Sequence, residues 1–267
     1  MSDNRYYPTI ILGATFAGLG AAYACGKEAL LIERSALVGY EFINSYNLGE
    51  DWHATVLSEE GEKLKNELLE RGILSEDGRV HIPAIAPVLY NKIGCDSLPI
   101  LLHSDIADIR QLGAGYEVTI YNASGFNSYR TDRIIDTRPE YAPSHLIKSK
   151  SLNAMLNCGE DDPEVSTTAG SYLLLTKGKL KGEVVAKVPI EVEDDWITAR
   201  HKLHQLWAGR PKEWESWTIS SVAGFFELQI EPETGGEIAP SWFSLPSAAY
   251  RNPLEAFEAG LLVKRRY

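Results

Sequence analysis

Gly13, Gly18 and Glu33 are the residues whose types and spacing most directly suggest chemistry. One glycine allows a tight turn after a buried strand, and a second lets the following helix approach that strand without a Cβ clash. Glu33 comes 20 residues after Gly13, the spacing at which an acid accepts hydrogen bonds from a nucleotide ribose. An acid there disfavours a 2′-phosphate. The three residues predict a site for the ADP part of a dinucleotide.

The elements that must position these residues are present in the same stretch. Branched and aliphatic residues at Thr9–Leu12 and Ala29–Ile32 predict two strands buried in a parallel sheet. Small residues over Leu19–Lys27 predict a helix that packs closely on that sheet, and its N-terminus offers N–H groups and a positive dipole end to a pyrophosphate. The predicted contacts are Gly13, Ala14, Thr15, Phe16, Ala17, Gly18 and Glu33.

Thr15 stands where the usual Gly-x-Gly-x-x-Gly pattern has its middle glycine. A glycine there lets the backbone approach the phosphates, and the Thr15 hydroxyl is a compensating donor to a phosphate. A glycine turn in an α/β protein that binds no nucleotide is the alternative. The agreement of strand, helix, spacing and acid favours dinucleotide binding.

A nicotinamide enzyme would begin with the same unit. Short-chain dehydrogenases need a catalytic Tyr-x-x-x-Lys well downstream, whereas the only such pair here, Tyr23 and Lys27, lies inside the predicted first helix. A second glycine fingerprint is also missing, since Gly113-Ala114-Gly115 falls in a predicted hairpin. A separate NAD(P)H domain is therefore not expected, and an NAD-dependent dehydrogenase stays as an alternative.

The stretch GATFAGLGAA, with Glu33 and Arg34 after it, resembles the FAD-dependent oxidoreductases whose motif reads GATxAG. The resemblance continues through a helix at Ile85–Ile93, a strand at Pro99–His103 and a hairpin through Gly113–Tyr121. In that family a segment corresponding to Asp105–Ala107 passes the adenine, and a turn after the strand Ile134–Thr137 passes the flavin nucleotide. The resemblance implies FAD as the cofactor, with further contacts from Arg34, Ile106, Ala107, Asp136 and Thr137.

The segment Ser241–Gly260 resembles the last helix of the same family and the loop before it. Asn252 is a suitable cap and Pro253 a suitable first helical residue, which implies contacts from Asn252, Pro253 and Leu254. Two family features are missing. The glycine expected after Thr137 is Arg138, and the Gly-Asp pair of the C-terminal loop is absent. An unusual flavin half of the site is therefore expected.

The predicted fold class is α/β, with a Rossmann-like FAD-binding domain built on a parallel central sheet and a smaller inserted antiparallel α+β substrate domain. The FAD-binding domain is expected to comprise 1–150 and 232–267, and the substrate or cap domain 151–231. Within the latter, Tyr172–Leu175 and Glu183–Val192 predict strands, and Trp196–Trp207 predicts an amphipathic helix.

Few residues in the sequence point to the chemistry on the substrate side. Tyr40, Glu41 and His53 are the catalytic candidates, because in the family this region runs past the flavin ring; each has an alternative as an ordinary loop residue. His201 and His204 have no third ligand at a suitable spacing, so no metal is expected. The cluster Trp207, Trp214 and Trp217 favours a core or packed interface over a lid on a substrate.

Bulk properties exclude several classes. The net charge of -11 argues against binding to nucleic acids or anionic membranes, since both require a basic field. Three dispersed cysteines form neither a disulfide framework nor a redox pair, and no signal peptide or spanning segment is read. A cytoplasmic protein is expected, with a small-molecule substrate and either a second copy or another subunit as its partner.

The predicted function is that of an FAD-dependent oxidoreductase that transfers a hydride between a small organic substrate and FAD. The chain is shorter than most of the family and lacks two flavin-contacting features. A second hypothesis is therefore a reduced flavoprotein subunit, or a non-catalytic FAD-binding protein that acts with a partner.

Overall fold

The computed structural model describes residues 5–54, 57–159, 173–231 and 236–266. Contacts divide the chain into two compact units. The first unit comprises Met1–Gly39, Leu89–Ala142 and Pro232–Tyr267, and the second unit comprises Tyr40–Val88 and Pro143–Glu231. The unit bounds differ from the predicted domain bounds chiefly at Tyr40–Val88, and the predicted domains stay a prediction.

Strands outnumber helices among the described residues, and a long run of strands with no α-helix between them occupies the middle of the chain. In chain order, the strands are β1 (Arg5–Tyr6), β2 (Thr9–Leu12), β3 (Ala29–Ile32), β4 (Ile100–Leu101), β5 (Asp105–Gln111), β6 (Tyr116–Asn122), β7 (Gly125–Thr131), β8 (Arg133–Asp136), β9 (Ile147–Asn157), β10 (Leu174–Lys177), β11 (Glu183–Ile190), β12 (Thr218–Val222), β13 (Glu227–Ile230), β14 (Gly236–Ala239) and β15 (Trp242–Ser244). The helices are α1 (Phe16–Cys25), α2 (Tyr40–Ile43), α3 (Glu59–Glu70), α4 (Ile85–Asp96), α5 (Trp196–Ala208), α6 (Pro253–Leu261) and α7 (Val263–Arg266).

The first unit contains a sheet in the order β14-β15-β8-β2-β3-β4. Neighbours from β15 to β4 pair in parallel, and β14 pairs antiparallel with β15 at the edge. Every residue of β2 and β3 is buried, which is why both strands read as continuous apolar runs. The predicted strands Thr9–Leu12 and Ala29–Ile32 are confirmed with their bounds.

A second sheet of the first unit, in the order β1-β7-β6-β5, covers one face of the parallel sheet. Its strands β5, β6 and β7 are antiparallel neighbours, and alternate residues of β6, Tyr116, Val118 and Ile120, are buried. These side chains form one core with Ile10 and Leu30 of the parallel sheet. The predicted hairpin is confirmed, and the predicted α/β fold with its parallel sheet is present.

Helix α1 lies against the strands β2 and β3 and packs on α6. It begins at Phe16 rather than at the predicted Leu19, because the Thr15 side chain caps it by accepting from the Gly18 N–H. It ends at Cys25, where Gly26 adopts a positive φ of 59°. A Cβ on Gly20 would come well within 3.0 Å of the Phe257 carbonyl oxygen, so the two helices need glycine at their contact.

The sheet of the second unit is antiparallel, in the order β10-β11-β9-β12, with β13 also paired to β9. Leu152, Ala154 and Leu156 of β9 share a core with Ala199 and Leu203 of α5. The predicted helix Trp196–Trp207 is confirmed to within one residue. Predicted residue Tyr172 lies outside the described residues, and the strand nearby is β10. Strand β11 stops at Ile190 rather than at Val192.

Elements expected from the family resemblance are present with shifted ends. The helix predicted at Ile85–Ile93 is α4, which continues to Asp96. The strand predicted at Pro99–His103 is reduced to β4, because His103 adopts a positive φ of 49° and turns the chain away. The helix predicted within Ser241–Gly260 is α6. Among the described residues, no helix has the length and apolar character needed to cross a membrane.

Candidate functional site

The candidate site lies at the carboxyl ends of adjacent parallel strands in the first unit. Gly13 follows β2, Glu33 follows β3, and Thr137 follows β8, which pairs with β2 on its other side. Because parallel strands all end at the same edge, the topology brings these three residues together across long sequence distances. This edge is where open α/β sheets bind ligands.

The two glycines have the roles that the sequence predicts. Gly13 has a φ of +96°, which disfavours any residue with a side chain. A Cβ on Gly18 would come well within 3.0 Å of the Gly13 carbonyl oxygen, so α1 can begin this close to β2 only with glycine there. The tight turn and close approach are confirmed.

Thr15 bonds to protein groups. Its hydroxyl accepts from the Gly18 N–H at 3.0 Å and donates to Thr137 Oγ1 at 2.7 Å. Thr137 Oγ1 donates onward to the carbonyl oxygens of Leu12 and Gly13, at 3.0 and 3.1 Å. Both threonines are fully buried. The only proton of the Thr15 hydroxyl is therefore donated to Thr137 and not to a phosphate, and this bond ties the ends of β2 and β8 together.

The Glu33 carboxylate is 3% exposed and has three protein donors. Oε2 accepts from the Ala14 N–H at 3.0 Å, and Oε1 accepts from the Ser35 N–H and hydroxyl at 2.8 and 2.7 Å. These bonds hold the acid beside the glycine turn. Each carboxylate oxygen has two lone pairs, so Oε2 can accept a ribose hydroxyl in addition.

The loop before α6 supplies another partner to the turn. Ser247 Oγ accepts from the Ala17 N–H at 3.2 Å, while the Ser247 N–H donates to the Thr137 carbonyl at 3.1 Å. Ser247 is fully buried, although no sequence pattern pointed to it. The prediction that the start of α1 offers unpaired N–H groups is wrong for Ala17 and Gly18, because hydroxyls of the protein already accept from them.

Arg138 occupies the position at which the family resemblance expects glycine. Its backbone is extended at a φ of −76°, so nothing in the local conformation demands glycine. Its Nε and Nη2 donate to Asp136 Oδ1 and Oδ2 at 2.9 and 2.7 Å, and the guanidinium lies 3.8 Å from the centre of the Tyr141 ring. Burial is the largest single influence and opposes the charge, but the hydrogen bonds to Asp136 together with the attraction of Asp136, Tyr141 and Glu140 raise the pKa of Arg138.

The start of α6 is built as predicted. The Asn252 side chain accepts from the Glu255 N–H at 2.9 Å, and Pro253 takes the first helical position. Asn252 and Leu254 are fully buried. Helix α6 packs on α1, where Gly260 near the end of α6 lies against the Ala17 carbonyl, and Ser247 in the loop before α6 bonds to the Ala17 N–H.

The residues implied to lie near the adenine are more open. Arg34 and Ala107 are exposed, and Ile106 is partly buried. The Tyr90 hydroxyl donates to the Ala36 carbonyl at 2.6 Å, and burial raises the pKa of Tyr90. The adenosine side of the candidate site is therefore accessible, while the glycine turn is enclosed.

The catalytic candidates belong to the second unit. Tyr40 is 2% exposed and its ring lies 4.7 Å from that of Phe225; Glu41 is also buried. His53 is exposed, and its Nε2 lies 3.3 Å from the Ser75 carbonyl oxygen. The three side chains therefore do not share one environment, and a catalytic base is still unassigned.

The histidines and tryptophans singled out in the second unit lie in different surroundings. His201 and His204 are exposed, and across the described ranges no group of His, Cys, Asp and Glu could hold a metal. Trp214 and Trp217 stack at 5.1 Å, and Trp207 packs against the core of the second unit. The interpretation of the tryptophans as core is confirmed.

A buried polar cluster in the second unit escaped prediction. The Asn153 amide donates to the Ser45 carbonyl at 2.8 Å and to Glu227 Oε2 at 2.6 Å. Lys187 donates to Glu227 Oε1 at 2.5 Å. Asn153 and Glu227 come from neighbouring strands, β9 and β13, so only the sheet pairing reveals the cluster.

Comparison with known proteins identifies the fold. No protein-family model and no curated protein sequence matches the chain. Among solved structures, a geranylgeranyl bacteriochlorophyll reductase-like protein from Thermoplasma acidophilum matches with a TM-score of 0.65 and 11% identity, over 98% of this chain and 77% of that protein. Glycine oxidase from Geobacillus kaustophilus matches with a TM-score of 0.65 and 13% identity, over 98% of this chain and 94% of the oxidase.

Aklavinone-11 hydroxylase, whose structure is a ternary complex with FAD and aklavinone, matches with a TM-score of 0.60 and 10% identity. The match covers 97% of this chain and 61% of the hydroxylase, so the chain spans less than two thirds of that protein. At such identities the comparisons establish the fold. The chain has a mixed α/β fold with a mainly parallel sheet and separate antiparallel sheets, as predicted, and these proteins share that fold.

Proposed function

We propose that this chain is an FAD-dependent oxidoreductase that transfers a hydride between a small organic substrate and bound FAD. The observation that carries the proposal is the arrangement at one edge of the parallel sheet. There a left-handed glycine, the start of α1 and a buried acid follow two paired strands, β2 and β3. The likeness to structures of flavin-dependent enzymes supports the same class.

The residues present fit the ADP part of FAD. Side chains at Gly13 and Gly18 would fill the turn, and Glu33 is held at the strand end with lone pairs that can accept. In this proposal Glu33 binds the ribose, and the turn with the start of α1 receives the pyrophosphate. Arg34 and Ala107, both exposed, lie along the adenine.

FAD supplies the two-electron chemistry when it is bound, and the protein supplies orientation and electrostatics. Thr137 and the start of α6, at Asn252, are the proposed contacts toward the flavin half. Tyr40, Glu41 and His53 stay as candidates on the substrate side. A second copy of the chain or another subunit is the proposed partner.

The proposal is tested by titrating the purified protein with FAD and recording flavin fluorescence and absorption. We expect saturable quenching by the wild type and a Kd raised about tenfold in Glu33→Gln, which loses a charged acceptor for the ribose. FMN lacks the adenosine, so its weaker binding should not respond to this substitution.

Glu28→Gln is the matched control, because Glu28 is 68% exposed and paired with Lys264 at the surface, and the charge change is the same. The control should bind FAD as the wild type does. A wild-type protein that neither binds nor retains FAD would contradict the proposal. Enhanced NADH fluorescence in place of flavin binding would favour the NAD-dependent alternative.

FAD binding without turnover is the second candidate function. It is favoured by the two missing flavin-contacting features, Arg138 in place of the expected glycine and the absent Gly-Asp pair of the C-terminal loop. Anaerobic addition of small reduced substrates to the FAD-loaded protein separates the two candidates. Loss of the oxidised flavin absorption indicates the enzyme, whereas a spectrum that no substrate bleaches indicates the binding role.

A further inference from the structure

Arg138 passes directly over the glycine turn. A Cβ built on Gly13 would lie 2.6 Å from Arg138 Cγ, so the aliphatic part of the arginine fills the space that the glycine leaves. The preceding residue, Thr137, is bonded to both Gly13 and Thr15. The position of the arginine is therefore fixed by the same contacts that build the turn.

Asp136 and Tyr141 hold the guanidinium of Arg138, and neither of the bonds to Asp136 uses Nη1. Its bonds to Asp136 use Nε and Nη2, and the ring of Tyr141 lies across one face. Arginine has five N–H donors in a planar fork, and Nη1 makes none of the bonds to Asp136. The side chains of Arg138 and Asp136 are 12% and 11% exposed, so the cation is ordered before any ligand arrives.

The glycine turn needs an additional source of positive charge. Thr15 replaces the middle glycine, and the N–H groups of Ala14, Ala17 and Gly18 already donate to Glu33, Ser247 and Thr15. A pyrophosphate that entered here would therefore meet fewer available backbone donors than a standard turn offers. An arginine beside the turn supplies a strong, charge-assisted donor in their place.

We propose that Arg138, held by Asp136 and Tyr141, is the residue that binds the pyrophosphate of the dinucleotide, through Nη1. This inference rests on the proposed function, because it assigns a role in binding FAD. It also explains why an arginine replaces the expected glycine, since the side chain takes over the electrostatic work of the turn. Asp136 then competes with the pyrophosphate for the guanidinium.

The test measures Kd for FAD, ADP and adenosine in four proteins: wild type, Arg138→Gln, Asp136→Asn and the double variant. The double variant removes both charges of the pair and so leaves no unpaired buried charge. A loss of binding in this variant is therefore not explained by misfolding. We expect Arg138→Gln and the double variant to bind FAD and ADP about tenfold more weakly, and adenosine unchanged, because adenosine has no phosphate. Asp136→Asn should bind ADP about threefold more tightly, since it removes the competing carboxylate.

Arg71→Gln is the matched control, because Arg71 is likewise paired, with Glu67 at 2.8 Å, and lies in the other unit. It should leave all three Kd values unchanged. A double variant that binds ADP as tightly as the wild type, or that loses adenosine binding to the same extent, overturns the role of Arg138 while the proposed function stands. A wild type that binds neither FAD nor ADP overturns the proposed function itself.

Discussion

The two units arrange their polar residues differently. In the first unit, β2 and β3 are buried on both faces, so polar residues such as Glu33 and Thr137 come only after the strands end. In the second unit, β9 runs for 11 residues and alternates between an apolar face and a polar one that includes Asn153. A parallel sheet collects polar groups at an edge where backbones meet, whereas an antiparallel sheet pairs side chains across a face. Substitutions at the edge of the parallel sheet should therefore destabilise the protein through backbone clashes, and substitutions on the face of the antiparallel sheet through lost side-chain pairing.

The largest effect is expected where backbones meet in the first unit. Gly20→Ala would place a Cβ well within 3.0 Å of the Phe257 carbonyl oxygen in α6. A Cβ added to Gly260 of α6 would come equally close to the Ala17 carbonyl oxygen in α1. Neither obstacle is a flexible side chain, so α1 and α6 must separate. We expect a loss of at least ~3 kcal/mol in the free energy of unfolding, measured by urea denaturation.

Gly94→Ala is the control for that substitution. Gly94 lies in the helix α4 on its solvent side, and a Cβ added there would have nothing within 4 Å of it. Alanine there should stabilise the helix by about 0.5 kcal/mol or more. Equal losses for Gly20→Ala and Gly94→Ala would mean that the close contact of α1 and α6 is not what requires glycine.

The polar face of the second unit should respond to loss of a charge. Glu227→Gln removes the ionic partner of Lys187 and an acceptor for the Asn153 amide, with little change in volume. Glu227 is 8% exposed but Lys187 is partly solvated, so we expect a loss of about 1–2 kcal/mol in urea denaturation. A double-mutant cycle with Lys187→Met should return a coupling energy of similar size.

The neighbouring pair of Lys148 and Glu231 is the control. Both side chains are 44% exposed, at an N–O distance of 2.7 Å. Glu231→Gln should cost less than ~0.5 kcal/mol, because solvent screens an exposed pair. If Glu227→Gln proves as mild as Glu231→Gln, the polar face of β9 and β13 is not held by its buried charge.

The edge of the parallel sheet was more fully predictable from neighbouring residues in the sequence than the polar face of the antiparallel sheet was. Thr9–Leu12 and Ala29–Ile32 were predictable with their bounds, because strands buried on both faces consist of apolar residues and end abruptly at glycine or acid. Gly13 and Gly18 were predictable because their conformations exclude side chains. Each of these features depends on residues that lie close together in the chain.

The rest of the candidate site depends on pairings between distant residues. Ser247 reaches Ala17 across 230 positions, and the bond from Thr15 to Thr137 spans 122. The cluster of Asn153 and Glu227 exists because β13 pairs with β9 in one particular register. No periodicity or motif in the sequence indicates such pairings. The sequence therefore predicted the glycine turn but not the hydroxyls of Thr137 and Ser247 that bond to it.

Helix caps offer a smaller test of the same contrast. Asn252 caps α6 in the buried edge region at 2.9 Å, whereas Ser58 caps the largely exposed helix α3 at 3.3 Å. We expect Asn252→Ala to cost about 1–2 kcal/mol and Ser58→Ala about 0.5 kcal/mol in urea denaturation. Equal costs would show that burial at the edge adds nothing to the cap.

The smallest effect is expected from pH at the exposed cap of α5. The Thr198 N–H donates to Asp195 and lowers the pKa of that carboxyl below its ordinary value. A depressed pKa stabilises the fold above the unfolded value and ceases to do so as the pH falls through the folded value. The difference in unfolding free energy between wild type and Asp195→Asn should therefore be constant from about pH 7 to about pH 5 and shift against the wild type below about pH 4. Because Asn caps nearly as well as Asp, a difference that is flat throughout this range would mean that the charge of Asp195 contributes nothing to the start of α5.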